Sequence, residues 1–277
     1  MSHIKKFSQA HTYIFSFITA LTAIALLYVC NFFLSTSNGR LDYNLNGIIT
    51  YIVPLIFVFI IYISAVNIKS HSFDKKGIFK GFFLGWPFMC LGLYNIIGLF
   101  FSTTPLSSPE VKKVFFFTII MFLVGTFEEF LCRGIILNSL LNKLNSTKAG
   151  LIKAVILSSF IFGLGHLVNL IVSPNLLIST LSQIIYTTLH GILFAAIYLR
   201  CKNIWSVVFL HAVYDWLVKA SGIFHTVSAS GTPVDISFLT GLINILFAIP
   251  FALVGLFLLR KVMIADIDKS VLTTKSM

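Results

Sequence analysis

The stretch VFFFTIIMFLVGTFEEFLCRGIIL, residues 114–137, decides how this chain folds. It is a continuous apolar run and does not alternate between apolar and polar residues as a half-buried strand does. Its length is close to the roughly 20 residues that a helix needs to cross the hydrocarbon core of a bilayer. Two adjacent glutamates and an arginine interrupt the run. The stretch therefore predicts a membrane-spanning helix with ionisable groups near its middle.

The rest of the chain has the same apolar character. Of its 277 residues, 57% are hydrophobic and 10% are charged, against about 25% charged in soluble domains. Backbone groups in lipid must be satisfied within a helix or a closed barrel, and long unalternating runs favour helices. We therefore expect an all-α membrane protein, a polytopic helical bundle in which residues 1–277 form a single integral membrane domain with eight spans. The predicted spans are 12–34, 47–66, 81–101, 114–138, 151–171, 176–200, 203–220 and 236–260.

The distribution of charge predicts the orientation of these spans. With the amino terminus in the cytoplasm, 15 of the 20 basic residues fall on the cytoplasmic side, four fall on the other side, and Arg133 lies within a span. This excess is the positive-inside pattern and predicts that both termini are cytoplasmic. The net charge of +11 therefore reflects topology, and no nucleic-acid partner is expected. The four cysteines lack the spacing of a disulfide framework or a thiolate metal site.

Three predicted spans carry ionisable side chains that a membrane helix normally avoids, since a charge at the bilayer centre costs about 2.5–3.5 kcal/mol. The first group is Glu128, Glu129 and Arg133. Residues four apart share a helix face, so Glu129 and Arg133 are expected to form an ion pair. Glu128 then points elsewhere, toward the interior of the bundle. The alternative is a purely structural buried pair with a spare carboxylate.

The second and third groups also show a spacing of four. Phe162 precedes His166 by four residues, so the two rings are expected to pack together, with Gly163 and Gly165 allowing another helix to approach closely. His211 and Asp215 share a helix face in the same way. Each pair taken alone is equally compatible with an interhelical hydrogen bond or a self-satisfied ion pair. We expect His190, in the sixth span, to have a structural role.

Taken together, the three spans can bring Glu128, His166, His211 and Asp215 to one polar pocket. Two imidazoles and a carboxylate are a usual ligand set for hydrolytic zinc, so His166, His211 and Glu128 are candidate ligands for Zn²⁺ or another divalent metal. The metal-free alternative has Glu128 and His166 polarise a water while His211 and Asp215 stabilise the oxyanion. Both routes lead to hydrolysis. The chain has no HExxH or GxSxG motif, which argues against the common zinc-protease helix and the serine hydrolases.

The ordered motifs EExxxR at 128–133, FxxxH at 162–166 and HxxxD at 211–215 resemble the CPBP family, also called the CAAX-protease or Abi family. The resemblance covers about residues 110–220, the expected catalytic core. It implies an eight-span bundle with a conical interior open to the cytoplasm and peptide-bond hydrolysis at the membrane. In the family the first glutamate and the second-motif histidine activate water, which here are Glu128 and His166. The third motif stabilises the oxyanion but more often ends in Asn, so Asp215 is either protonated, orients His211 or lies near a metal.

The resemblance implies an intramembrane endopeptidase, either a metalloprotease or a glutamate-type protease, acting on a membrane-associated peptide or protein tail. A bacterial plasma-membrane protein in peptide maturation or bacteriocin self-immunity is our first hypothesis. Two other classes stay open: a non-catalytic immunity or binding protein that uses the same pocket, and a proton-coupled transporter. The missing internal repeat counts against the transporter. The residues predict no oligomeric state.

Overall fold

The computed structural model describes residues 3–35, 42–65, 75–101, 106–144, 146–224 and 234–262. These residues form helices and contain no β-strand. The first five helices are α1 His3–Ala10, α2 Thr12–Leu34, α3 Leu45–Ala65, α4 Lys75–Phe100 and α5 Val111–Leu144. The others are α6 Lys148–Val172, α7 Leu177–Cys201, α8 Ile204–Lys219, α9 Ser221–Phe224 and α10 Phe238–Leu259.

Seven helices in the described ranges, α2 to α7 and α10, are long and apolar enough to cross a membrane. The remaining predicted span, 203–220, is α8, which has 16 residues. At 1.5 Å per residue it is about 24 Å long, shorter than a hydrocarbon core of about 30 Å. The all-helical membrane fold is therefore confirmed, whereas the eight-span count stays a prediction. The division into one domain with a core at 110–220 also stays a prediction.

Local sequence signals explain where the helices of the second half begin and end. Thr147 accepts a hydrogen bond from the backbone N–H of Gly150 at the start of α6, and Asn203 accepts one from Trp205 at the start of α8. Such side-chain caps satisfy backbone donors that have no partner inside the helix. Lys202 has a left-handed backbone with φ of 53°. This residue closes the tight turn between α7 and α8, so that the two helices run antiparallel.

The two most buried helices are α5 and α7. Helix α7 packs against α4, α6 and α10, while α5 packs against α3 and α8. The outer helices instead expose large apolar side chains, among them Phe33, Phe83 and Phe257. A soluble protein rarely exposes so much apolar surface, but lipid is a favourable solvent for it. The bundle thus has a packed interior and a lipid-compatible exterior.

The bundle has two chemically different ends. Hydrogen bonds from Lys80 to the carbonyl of Arg200, from Lys148 to that of Leu259 and from Arg200 to that of Lys261 gather several helix termini at one end. We call this the proximal end, since it also holds α1. It carries eleven of the basic side chains that the structure describes. The opposite, distal end holds the start of α5, the α6–α7 connection and the end of α8.

The positive-inside rule assigns the proximal end to the cytoplasm. The described basic residues at the distal end are Lys112, Lys113 and Lys219, and the same end holds the acidic Asp42, Glu110 and Asp235. Arg40, Lys69, Lys269 and Lys275, which also entered the predicted charge bias, lie outside the described residues. The orientation with both termini in the cytoplasm stays a prediction.

We predict that Gly163→Ala destabilises the bundle by about 1–3 kcal/mol, the usual cost of overpacking. A Cβ at Gly163 would lie 2.2 Å from the Thr188 hydroxyl oxygen and 2.6 Å from the Ile184 carbonyl oxygen, and the backbone of α7 cannot easily move away. The close approach of another helix expected at Gly163 is therefore confirmed. The measurement is the free energy of unfolding in detergent.

The matched control is Gly98→Ala, since a Cβ at Gly98 meets nothing within 4 Å. It should leave stability unchanged or raise it by up to about 1 kcal/mol, because alanine loses less backbone entropy in a helix. Equal effects of the two substitutions would contradict the tight α6–α7 contact.

Candidate active site

Two irregular helical segments lie at the candidate residues. Helix α5 is α-helical to Glu129 and then becomes π-helical over Phe130–Leu137 before its last α-helical turn. Helix α6 tightens into a 3₁₀ segment over Gly165–Val168, which contains His166. Widened and tightened turns of this kind are frequent at functional sites. The predicted site residues therefore lie where both helices depart from regular α-geometry.

The carboxylate of Glu129 organises the interior of the bundle. Its Oε1 atom accepts a hydrogen bond from Arg133 Nη1 at 3.0 Å and lies 2.8 Å from His211 Nδ1. The side chain of Glu129 is 0% exposed and that of Arg133 is 3% exposed. The predicted Glu129–Arg133 ion pair is confirmed. The contact of the same carboxylate with His211 was not predicted, because it joins residues 82 apart in the sequence.

Arg133 extends this network to two further helices. Its Nη2 atom donates to the backbone carbonyl of Gly191 at 3.1 Å. Its guanidinium also lies over the rings of Phe162 and Phe194, at 5.3 and 5.5 Å from their centroids. A guanidinium is attracted to the face of an aromatic ring. The cation that balances Glu129 is thereby held from α6 and α7 as well as from α5.

The imidazole of His211 lies between two carboxylates. Its Nδ1 faces Glu129, and its Nε2 lies 3.4 Å from Glu128 Oε2. Such a placement fixes the ring plane and favours a hydrogen atom on each nitrogen. Glu128 is 22% exposed and faces the interior cavity, as predicted from its position one residue before the buried pair.

Asp215 is paired with a residue that the sequence analysis did not consider. Its Oδ2 accepts a hydrogen bond from Lys219 Nζ at 2.5 Å, while its Oδ1 lies 3.9 Å from His211 Nε2. The sequence left three explanations for an aspartate in place of the usual asparagine. The structure adds a fourth, in which the negative charge of Asp215 is balanced by Lys219 one helical turn later. The signal was present in the sequence, since Asp215 and Lys219 are four residues apart and share a helix face. The predicted orientation counts Lys219 only among the basic residues of the non-cytoplasmic side, although the predicted span 203–220 contains it.

His166 lies beside Phe162, as predicted, with 5.6 Å between the two ring centroids. Its Nε2 atom is buried and has no hydrogen-bond partner among the described residues. Buried polar atoms are nearly always paired, with protein or with water. His166 also lines the interior cavity, so its Nε2 lacks the partner that buried polar atoms normally have and belongs to a residue of the cavity wall.

These side chains share one cavity of about 160 Å³. All the predicted site residues line it: Glu128, Glu129, Arg133, Phe162, His166, His211 and Asp215. His190 lines it too, and its ring packs edge-on against Phe88. Within the part of the chain that the structure describes, its Nε2 has no hydrogen-bond partner. The structural role expected for His190 thus accounts for its packing but not for its place at the cavity wall. The sequence analysis also missed Gln183 and Tyr186, which carry no motif.

The cavity lies in the distal half of the bundle. Lys219, at the distal end of α8, lines it, and the lysine side chain is 44% exposed, so one residue of the cavity wall reaches the surface at that end. The family resemblance implied an interior open to the cytoplasm, whereas the basic proximal end is the one that the positive-inside rule assigns there. An opening at the distal end would agree with only one of these two expectations.

The arrangement does not provide the predicted metal-ligand set. No three His, Cys, Asp or Glu side chains in the described part of the chain form a group that could hold a metal ion. Both nitrogens of His211 face carboxylates, so this imidazole does not offer a free donor beside Glu128 and His166. Zinc or another divalent metal stays a prediction.

Comparison with known families gives one match. Residues 110–217 match the family model described as type II CAAX prenyl endopeptidase Rce1-like. No curated protein and no solved structure matches the chain. The family match confirms the resemblance that the three motifs indicated. The matched range contains all three motifs and covers less than half of the chain.

We predict that Arg133→Met destabilises the protein by about 3–5 kcal/mol, the usual cost of removing one partner of a buried ion pair. Methionine keeps much of the side-chain volume but leaves the fully buried Glu129 without its cation. The measurement is the free energy of unfolding in detergent.

Lys113→Met, at an exposed position on α5, is the matched control and should change stability by less than about 0.5 kcal/mol. A loss below about 1 kcal/mol for Arg133→Met would show that Glu129 does not depend on the guanidinium.

Proposed function

We propose that this chain, whose residues 110–217 carry the Rce1-like match, is an intramembrane endopeptidase of the glutamate type. The observation that carries the proposal is the placement of His211 between Glu128 and Glu129, in a cavity that is also lined by His166, whose Nε2 has no hydrogen-bond partner among the described residues. A carboxylate, a free imidazole nitrogen and an N–H donor in one enclosed space are the groups that water-driven amide hydrolysis requires.

In the proposed reaction Glu128 acts as the general base. A water that donates one hydrogen bond to His166 Nε2 gives its other proton to the Glu128 carboxylate as its oxygen bonds to the scissile carbonyl carbon. The carbonyl oxygen becomes an oxyanion and accepts a hydrogen bond from His211 Nε2–H. The Glu128 carboxylic acid then returns the proton to the amide nitrogen. The C–N bond breaks, and an amine and a carboxylic acid leave.

Glu129 and Arg133 act as positioning residues in this scheme. Glu129 accepts the Nδ1–H of His211, which aims the opposite nitrogen into the cavity. Asp215 would repel an oxyanion if its charge were unbalanced. The ion pair with Lys219 balances the charge of Asp215 and so reduces this repulsion. Asp215 in turn holds Lys219 at the cavity wall, where the positive charge of the lysine stabilises the developing oxyanion.

The proposed substrate is a membrane-associated peptide or protein tail, with membrane lipid as the surrounding partner. Because Lys219, a residue of the cavity wall, reaches the surface at the end opposite the basic one, we propose that the cavity opens there and that the substrate is cleaved on the non-cytoplasmic side of the membrane. Maturation of an exported peptide, or self-protection against a bacteriocin, in the plasma membrane of a bacterium fits that placement.

We predict that Glu128→Gln and His166→Ala each lower the cleavage rate by about 10²–10⁴-fold, the usual contribution of a general acid or base, while the protein stays folded and inserted. Glutamine keeps the size of the side chain but cannot accept the proton. The measurement is cleavage of farnesylated and unlipidated CaaX-tail peptides by the protein purified in detergent.

Glu110→Gln, at the exposed start of α5, is the matched control and should cleave like the unmodified chain. Full activity of Glu128→Gln or of His166→Ala would end the proposal. Activity that survives a chelator agrees with the glutamate-type route, whereas activity that is lost and then restored by Zn²⁺ would replace it with the metalloprotease.

We further predict that the distal end of the bundle faces the outside of the cell. The test uses two single-cysteine proteins, in which the four native cysteines are first replaced by alanine: Cys30, Cys90, Cys132 and Cys201. Lys113→Cys, at the distal end, should react with a membrane-impermeant maleimide in intact cells. Lys261→Cys, at the proximal end, should react only after lysis, because positively charged ends stay in the cytoplasm. The opposite labelling pattern would place the cavity on the cytoplasmic side.

A further inference from the structure

A second groove adjoins the catalytic cavity. It lies between α2, α3, α6 and α7 and has a volume of about 300 Å³. Its apolar wall includes Ile24, Leu27 and Val172, and its polar wall includes Tyr28, Asn169 and Gln183. Gln183 also lines the catalytic cavity. The two spaces therefore meet at one side chain.

The catalytic cavity is too small to hold a peptide by itself. Its volume of about 160 Å³ is below the range of about 300–1,000 Å³ that is typical of ligand sites. A substrate whose scissile bond reaches Glu128 must therefore continue into an adjoining space. The groove supplies such a space on the α6–α7 side. Its volume is about twice that of the catalytic cavity.

The side chains at the junction between the groove and the catalytic cavity can form hydrogen bonds with a peptide backbone. Asn169 Nδ2 donates to Gln183 Oε1 at 2.9 Å. The other amide atoms, Asn169 Oδ1 and Gln183 Nε2, make no hydrogen bond with the described residues. They offer one acceptor and one donor, which match the N–H and C=O of an extended backbone. A lipid tail has no group that could satisfy them.

The rim of the groove is held by a distant carboxylate. Asp235 accepts hydrogen bonds from the backbone N–H groups of Ile178 and Ser179 at 2.7 and 2.8 Å, and from the Ser179 hydroxyl at 2.5 Å. These contacts satisfy donors in the first turn of α7 and join it to the segment before α10. Ser179 itself lines the groove. A rim fixed in this way lowers the entropic cost of ordering a ligand.

We infer that this groove binds an extended segment of the peptide substrate on one side of the scissile bond, with Asn169 and Gln183 pairing with its backbone. The inference rests on the proposed function, because it takes the occupant to be the chain that Glu128 attacks. Asn169 and Gln183 are positioning residues in this scheme, since they contact the substrate backbone away from the reacting carbonyl.

The first test separates binding from chemistry. Asn169→Leu and Gln183→Leu remove the amides but keep side chains of similar size. Each should raise KM for a cleaved CaaX-tail peptide about tenfold, the loss expected for one or two hydrogen bonds, and leave kcat within about twofold. The control is Asn95→Leu on α4, where an exposed asparagine donates only to its own helix. It should change neither constant.

The second test locates the peptide directly and does not need catalysis. Tyr28 lines the groove, whereas Tyr94 is 71% exposed on α4. Tyr28→p-benzoylphenylalanine in the Glu128→Gln background should crosslink a biotinylated CaaX-tail peptide at least about tenfold more than the same substitution at Tyr94. Unlabelled peptide should compete with this crosslink.

The outcomes distinguish this inference from the proposed function. Unchanged KM values together with equal crosslinking at the two positions would overturn the groove assignment. Crosslinking of Tyr28→p-benzoylphenylalanine to lipid but not to peptide would overturn it in favour of a lipid site. If the unmodified chain cleaves no peptide yet the Tyr28 position crosslinks one, the endopeptidase proposal fails and the peptide groove stands.

Discussion

The structure depends on one buried carboxylate that two partners share. Glu129 lies fully buried on α5, with Arg133 on its own helix and His211 on α8 bound to the same oxygen atom. An ionised group in a low-dielectric interior is costly unless it is paired and hydrogen-bonded. The pairing therefore determines how α5 and α8 face each other. Arg133 also binds the Gly191 carbonyl, which adds α7 to the same constraint.

The irregular turns of α5 and α6 follow from the same requirement. A regular α-helix repeats every 3.6 residues, so a single helix can direct only some of its side chains toward one space. The π-helical segment after Glu129 and the 3₁₀ segment around His166 change that repeat locally. They occur where α5 and α6 present their polar side chains to the cavity. We regard them as part of the geometry that a hydrolytic site needs.

Several parts of the site were predictable because they depend on spacing within one helix. The pairs Glu129–Arg133 and Phe162–His166 are four residues apart, and the structure shows both contacts. The same rule indicates the Asp215–Lys219 pair, since both residues lie in the predicted span 203–220, but Lys219 served only as evidence of orientation. The spans themselves were predictable from apolar runs because lipid requires long continuous segments. The 16-residue α8 was the exception.

The sequence by itself determined the solvent, the all-helical class and the few residues able to do chemistry, since hydropathy and helical spacing are local properties. Only the tertiary structure decided which partners those residues have. The contact between Glu129 and His211 joins positions 82 apart, and Gln183 lies between two cavities without belonging to any motif. The tertiary structure also decided that the cavity lies in the half opposite the basic end. Such facts depend on the packing of several helices at once, and no local pattern in one helix encodes them.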